Sequence, residues 1–330
     1  MNYDFKDTLD RKKTTIILAV IALVAGVGCV VFGELMLPIF SSVYAMLILV
    51  DSTNRRLASI LIGAVATIAP FVLLAFGIWS LTPPFAVLIG FLIAWLFSRG
   101  TSKGELAVYT TVLILVLIIG TLYLSVAAAI GDFNPSAVIE YVYTEYVSVR
   151  DETVALMLES FEEVSPGLIE VLDETMLAEA FDAVFSLTFA ILAITAFALA
   201  GFTFKIFSSL AYRFARAPEK IVYWRFSTSN IVAYFYAAVA VVSFFVGTEG
   251  VFAVTVNNLF YIFLAVFAYI GFNFALALMS RKLGVPVSVI LIIAAISFLG
   301  ILAFELLSVF GVIFTHINSK VNNVNNDSNT

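Results

Sequence analysis

Several stretches of this chain run for 18 residues or more without a charged side chain. The hydrocarbon core of a bilayer is about 30 Å thick, and an α-helix rises about 1.5 Å per residue. A helix of about that length therefore crosses the core. The chain is 62% hydrophobic and only 12% charged, whereas a soluble domain carries about 25% charged residues. The sequence therefore predicts an all-α, polytopic transmembrane helix bundle. The uncharged stretches are 14–33, 57–78, 106–131, 183–204, 226–248 and 283–304.

Hydropathy predicts nine candidate helices, so we expect about eight or nine spans. The second candidate is only 15 residues long, and a re-entrant segment is the alternative to a span. The last candidate would be about 45 Å long if it were a single helix, and the alternative is two helices that form a hairpin at Gly300. The candidates are 14–33, 36–50, 57–78, 84–98, 105–130, 183–210, 230–247, 251–279 and 285–314.

The basic residues favour a second helix that crosses. With that crossing, only Arg150 and Lys320 of the 17 Lys and Arg residues lie opposite the N-terminus, and the other 15 lie on its side. Cytoplasmic loops carry such an excess, so we expect a cytoplasmic N-terminus in the cell (inner) membrane. The predicted divisions are a cytoplasmic N-terminus, spans one to five, an external insert, spans six to nine and a disordered Asn-rich tail. In the same order they cover residues 1–13, 14–130, 131–182, 183–315 and 316–330.

The external insert is acidic and has helical patterning. It holds 13 acidic residues and one arginine between Asp132 and Asp182. Apolar residues recur at three- and four-residue intervals around 138–149, 154–161 and 168–180, which indicates short amphipathic helices. Helices at lipid headgroups carry Lys and Arg on the polar face, so we expect these stripes to pack on the protein instead. The segment 135–181 is also the expected contact for a membrane or envelope partner protein.

Four polar residues at membrane depth are the candidate ligand-binding residues: Glu34, Asn257, Asn258 and Glu305. In the predicted topology all four lie toward the external leaflet, where they would line an outward-facing polar cavity. The alternative is that the carboxylates lie at the water interface and the asparagines bond between helices. Asn258 and Asn273 share a helix face, which also fits helix packing.

The sequence contains no recognisable enzyme motif. It has no P-loop, no HExxH and no G-x-S-x-G, and its single histidine and single cysteine, His316 and Cys29, give no set of metal ligands or catalytic triad. We therefore expect no enzymatic activity, cofactor or bound metal. The loop around 212–225 alternates basic and aromatic residues, which beside a membrane indicates a headgroup anchor and no nucleic-acid binding.

Three motifs carry a resemblance to a known family. They are "LPIF" at 37–40, "WRFSTSN" at 224–230 and "VNNLFYIFLAVFAYIGFNFALALMSRKLG" at 256–284. With the acidic insert between them, they resemble the DUF2232 family, the YybS-like group of bacterial integral membrane proteins. The resemblance implies a multi-helix bacterial membrane protein without an established reaction. It also implies a core similar in general plan to the substrate-binding subunits of energy-coupling-factor transporters.

Three functions remain open at this point. The first is a solute-binding or transport-related protein that takes its energy from a partner or an ion gradient, because the chain has no ATP-binding motif of its own. The second is a non-catalytic cell-envelope scaffold whose acidic helices dock a partner. The third is an intramembrane enzyme, for which no catalytic pair is visible in the sequence.

Overall fold

The computed structural model describes residues 11–51, 56–74, 81–101, 103–164, 173–215, 228–247 and 250–327. Throughout these ranges the chain is helical apart from short turns and forms no strand, which confirms the all-α prediction. The helices are α1 (Arg11–Phe32), a 3-10 turn (Gly33–Met36), α2 (Leu37–Val50), α3 (Leu57–Leu74), α4 (Thr82–Ser98), α5 (Lys103–Ile130), α6 (Pro135–Val164), α7 (Glu174–Ser186), α8 (Thr188–Ala215), α9 (Asn230–Phe245), α10 (Gly250–Leu283), α11 (Val285–Leu299) and α12 (Ile301–Asp327).

The described residues include four helical stretches long and apolar enough to cross a membrane. They are Lys12–Val50, Gly104–Ile130, Thr188–Phe214 and Gly250–Leu283. Shorter apolar helices accompany them at Leu57–Leu73, Thr82–Ser98, Asn230–Phe245, Val285–Leu299 and Ile301–Ile317. This pattern is that of a multi-pass membrane protein.

Helices α1 and α2 form an antiparallel hairpin. The chain folds back at Gly33, whose φ of 56° is in the left-handed region that favours glycine. The Thr15 hydroxyl donates to the Val50 carbonyl at 3.3 Å, which places the end of α2 beside the start of α1. Helix α2 thus runs back along α1, and its crossing of the membrane stays a prediction.

Met1–Ile118 and Ala193–Thr228 make up a first compact unit. Its central element is α2, which is buried on nearly all sides. A Cβ at Gly90 of α4 would lie 2.6 Å from the Ser41 carbonyl, so the absence of a side chain lets the two helices touch. On α3, the Ser59 amide and hydroxyl donate to Asp51 at 2.8 and 2.9 Å, so a carboxylate caps the start of that helix.

Ile119–Leu192 and Ser229–Thr330 make up a second unit. Its closest helix pair is α10 and α12, where Gly271 and Gly311 face each other's backbone. Three residues further along each helix, the rings of Phe274 and Phe314 lie 4.9 Å apart, so the two helices run in the same direction. Helix α11 connects them in the chain.

The last candidate span is two helices and not one. Helix α11 ends at Leu299, and Gly300 adopts a φ of 58° before α12 begins. A single helix over 285–314 is therefore wrong, and the hairpin alternative is the observed one. The reason is local, since glycine is the residue that takes a positive φ without a steric penalty.

Two other segments differ from the sequence interpretation. The stretches around 138–149 and 154–161 belong to one helix, α6, because residues 150–153 include no Gly or Pro to end it. Helix α12 continues to Asp327, into the tail predicted to be disordered. Extending a helix that already exists costs far less than starting one, which allows these polar residues to remain helical. Residues 328–330 lie outside the described part.

Candidate functional site

The four predicted ligand-binding residues are distributed over both units. Glu34 lies in the 3-10 turn of the first unit. Asn257 and Asn258 lie in the third turn of α10, and Glu305 lies in the second turn of α12, all in the second unit.

Asn258 bonds to three helices through one side-chain amide. It is 6% exposed. Its Nδ2 donates to the Ser186 carbonyl at 2.7 Å and to the Val254 carbonyl at 2.8 Å, and its Oδ1 accepts from the Ala190 amide at 2.7 Å. Ser186 is the last residue of α7 and Ala190 is the third residue of α8. The amide therefore caps two helix ends that face each other across Leu187.

Asn257 bonds across the turn between α9 and α10. The Ser243 hydroxyl donates to its Oδ1 at 3.1 Å, and its Nδ2 donates to the Gly247 carbonyl at 3.3 Å. Both asparagines thus make the interhelical hydrogen bonds that the sequence analysis held as the alternative to ligand binding. A ligand that binds either asparagine would have to displace these hydrogen bonds.

The two carboxylates have a different environment from the amides. Glu34 and Glu305 are both exposed on the surfaces of their units. Below Glu305, the Ser308 hydroxyl donates to the Glu305 backbone carbonyl at 2.7 Å and lies 3.0 Å from the Tyr236 hydroxyl. The buried polar atoms here belong to Ser308 and Tyr236, which the sequence analysis did not single out.

The strongest polar cluster lies between α6 and α7. Arg150 donates from Nη1 to both carboxylate oxygens of Asp182, at 2.9 and 3.0 Å, and from Nε to Asp151 at 2.9 Å. The Tyr146 hydroxyl donates to Asp182 at 2.7 Å, and its ring stacks on Phe185 with centroids 3.9 Å apart. Because Tyr146 precedes Arg150 while Phe185 follows Asp182, α7 runs back along α6. We call α6 and α7 the acidic hairpin.

The cluster shifts the proton affinities of its members. Hydrogen bonds from Tyr146 and then Arg150 lower the pKa of Asp182 below the ordinary value. Partial burial, together with the hydrogen bond to Asp182, raises the pKa of Tyr146 to about 12. Hydrogen bonds to Asp182 and Asp151 raise the pKa of Arg150. At neutral pH the pair is therefore fully charged, with the tyrosine protonated.

These residues are not paired by any local sequence pattern, although one signal points to Arg150. Arg150 is the only base among 13 acids in the insert, and Tyr146 lies one helical turn before it. A single cation surrounded by carboxylates is expected to form a salt bridge with one of them. Which carboxylate it pairs with depends on how α7 folds back against α6, and the local spacing of residues does not contain that information.

The expected packing of the insert holds in part. Val138 and Val154 of α6 are buried, whereas Ile139, Val142 and Val149 are exposed. Within the third stretch, Asp173 caps α7 by accepting from the Met176 amide at 2.7 Å. Residues 165–172 lie outside the described part of the chain.

Metal binding has no visible basis in the described ranges. Among those residues, no group of three or more His, Cys, Asp or Glu side chains is arranged to hold an ion. The acidic side chains of the hairpin are numerous but dispersed, and the best-placed carboxylate, Asp182, is already bonded to Arg150.

Comparison with known proteins gives one match. The family described as "Predicted membrane protein (DUF2232)" matches residues 14–313, which is most of the chain. No curated protein and no solved structure matches. The family description agrees with the apolar helices described above and names no reaction or ligand.

Proposed function

Because the chain belongs to DUF2232, a family of predicted membrane proteins, we propose a function that depends on its place in the membrane. It is a non-catalytic membrane scaffold that presents the acidic hairpin outside the cell (inner) membrane as a docking element for a partner protein. Its spanning helices hold the hairpin at a fixed position.

One observation carries this proposal: α7 is held on two sides. Arg150 and Tyr146 fix α7 to α6 through Asp182, and Asn258 of α10 fixes the end of α7 by donating to the Ser186 carbonyl. Ordering an exposed loop costs conformational entropy, so a simple connection between two spans gains nothing from such bonds. A binding element does gain, because a segment that is already ordered loses less entropy when its partner binds.

The solute-binding hypothesis has weaker support from the geometry. The amide of Asn258 already uses both its oxygen and its nitrogen within the protein. Glu305, in the same unit as Asn258, is exposed, and Glu34 is exposed in the other unit. A ligand recognised by these residues would need a rearrangement that costs the existing hydrogen bonds.

Site-specific photocrosslinking tests the docking function in intact cells. A photoreactive amino acid at Ser148 or Ser160, both exposed on α6, is expected to capture the same partner protein. Arg150→Gln should lower the yield because it releases α7 from α6. The matched control Arg281→Gln, at the end of α10, removes one guanidinium elsewhere and should not.

Two results together would contradict the proposal. The first is the capture of no specific protein from either hairpin position. The second is solute binding by the purified protein that is lost in Glu34→Gln, Asn258→Ala or Glu305→Gln. That pair of results would return the function to solute binding.

A further inference from the structure

The acidic hairpin leaves one apolar line of α6 uncovered. Val142, Val149 and Leu156 follow each other at intervals of seven residues, and such positions drift by only about 20° around a helix. Their side chains are 39%, 58% and 56% exposed. Helix α7 covers a different face, the one that carries Arg150 and the buried Val154.

Two carboxylates flank this line on the side away from α7. Glu145 lies between Val142 and Val149, and Glu152 lies between Val149 and Leu156, each three residues after one apolar residue and four before the next. Residues at these spacings are neighbours on a helix surface. Both glutamates are exposed. The face is therefore a narrow apolar strip with a negatively charged margin.

The negative charge beside the apolar strip favours some binding partners over others. A lipid surface is disfavoured, because helices that lie at anionic headgroups carry Lys and Arg on their polar face. A second copy of the chain brings like charges together, since Glu145 and Glu152 of both copies would border the same contact. A helix that carries Lys or Arg beside an apolar strip matches both the shape and the charge.

We propose that Val142, Val149 and Leu156 bind an amphipathic helix of a partner protein whose Lys or Arg side chains pair with Glu145 and Glu152. This inference rests on the proposed docking function and specifies its face and the chemistry of its partner. The seven-residue repeat selects a helical partner, because an extended peptide does not repeat at that interval.

Two synthetic helical peptides test the proposal on the full-length protein in lipid nanodiscs. Both carry leucine at every seventh position, and one has lysines beside the leucines where the other has glutamates. The lysine peptide is expected to bind at least about tenfold more tightly than the glutamate peptide. Val149→Ser with Leu156→Ser should weaken the lysine peptide by at least about tenfold.

Charge reversal provides the matched control. Glu145→Lys with Glu152→Lys should reverse the preference, so that the glutamate peptide binds better, and that gain also shows that the variant is folded. Glu140→Lys with Glu162→Lys changes the net charge equally on exposed positions of other faces of α6. This control pair should keep the preference for the lysine peptide.

Four outcomes would overturn the inference. They are equal loss of binding in the two charge-reversed pairs, unchanged binding in the serine variant, quenching of a dye at residue 149 by brominated lipid, and a change of oligomeric state in the serine variant. Each of these results contradicts the proposed binding face. The docking function itself still stands if crosslinking from Ser148 captures a partner. Failure of that crosslinking removes the docking function itself, whichever peptide binds.

Discussion

At the scale of single residues, Asn258 makes the connection between the acidic hairpin and a spanning helix. Its amide satisfies one carbonyl at the end of α7 and one N–H at the start of α8. Groups at helix ends have no partner within their own helix, and a buried group left unpaired costs about 1–3 kcal/mol. A single side chain thus stabilises a break between two helices.

Asn258→Ala is expected to destabilise the protein by about 2–4 kcal/mol, because it leaves both groups unpaired. The measurement is thermal unfolding of the purified protein in detergent. Asn273→Ala is the matched control on the same helix, since Asn273 Nδ2 donates to the Tyr269 carbonyl at 2.8 Å within α10. Equal destabilisation by the two variants would argue against the bridging role.

Asp182 gives the hairpin a pH dependence. Its pKa is lowered in the folded protein, so its contribution to stability is fully present above the ordinary aspartate pKa of about 3.9 and disappears as the pH falls through the lower folded value. Spin labels at Ser148 and Ala180 should therefore report a narrow distance distribution at neutral pH that broadens under acid.

Two variants separate Asp182 from the other acids. Asp182→Asn should give a broad distribution at every pH, because the charged partner of Arg150 is gone. Glu179→Gln, at an exposed position on the same helix, should keep the wild-type response. If the acid-induced broadening were instead lost in Glu179→Gln and kept in Asp182→Asn, the Arg150–Asp182 pair would be excluded as its origin.

Sequence reasoning identified some of these residues but not their partners. Asn257 and Asn258 stand out because amides are costly in an apolar helix. The bond from Asn258 to Ser186 joins positions 72 residues apart, and the bond from Arg150 to Asp182 joins positions 32 residues apart. Such pairs depend on the tertiary arrangement of helices, which periodicity does not encode.

At the scale of helices, α10 and α12 approach until their backbones meet. Gly271 faces the Leu307 carbonyl and Gly311 faces the Phe267 carbonyl, with no space for a methyl group at either position. Small residues allow such contacts between membrane helices, where packing replaces the hydrophobic effect as the driving force.

Gly271→Ala or Gly311→Ala should therefore force α10 and α12 apart and destabilise the protein by about 1–3 kcal/mol or more. Gly120→Ala is the control, because a Cβ at that position of α5 would meet nothing within 4 Å. The readout is the midpoint of thermal unfolding. A similar midpoint in all three variants would contradict the close approach.

The ends of the helices were predictable where the signal is backbone chemistry. Gly300 marks a hairpin because of its conformational freedom, and the structure has the break there. The continuity of α6 was missed because its apolar residues change face partway along. The helix nevertheless continues from Pro135 to Val164.

At the scale of the whole molecule, the predicted topology depends on the chain reversals at Gly33 and Gly300. With both reversals, we expect the two ends of the chain on one side of the membrane and the acidic hairpin on the other. The N-terminal side is expected to be cytoplasmic because it carries most of the basic residues.

Cysteine labelling in intact cells checks this arrangement. In a Cys29→Ala background, Ser148→Cys should react with a membrane-impermeant maleimide, whereas Lys282→Cys should react only after the cells are permeabilised. Both positions are exposed, so accessibility depends on the side of the membrane. A C-terminal tag should behave like Lys282. Labelling of Lys282→Cys in intact cells would invert the topology.

The short spanning helices also have a consequence for the surrounding lipid. Helices α9 and α11, which we expect to meet lipid, have 16 and 15 residues, which corresponds to about 22–24 Å against a hydrocarbon core of about 30 Å. A bilayer adapts to short helices by thinning, at a cost that rises with the mismatch. We therefore expect the protein to prefer a thin membrane, so that the acyl-chain length of its lipids affects where and how well it folds.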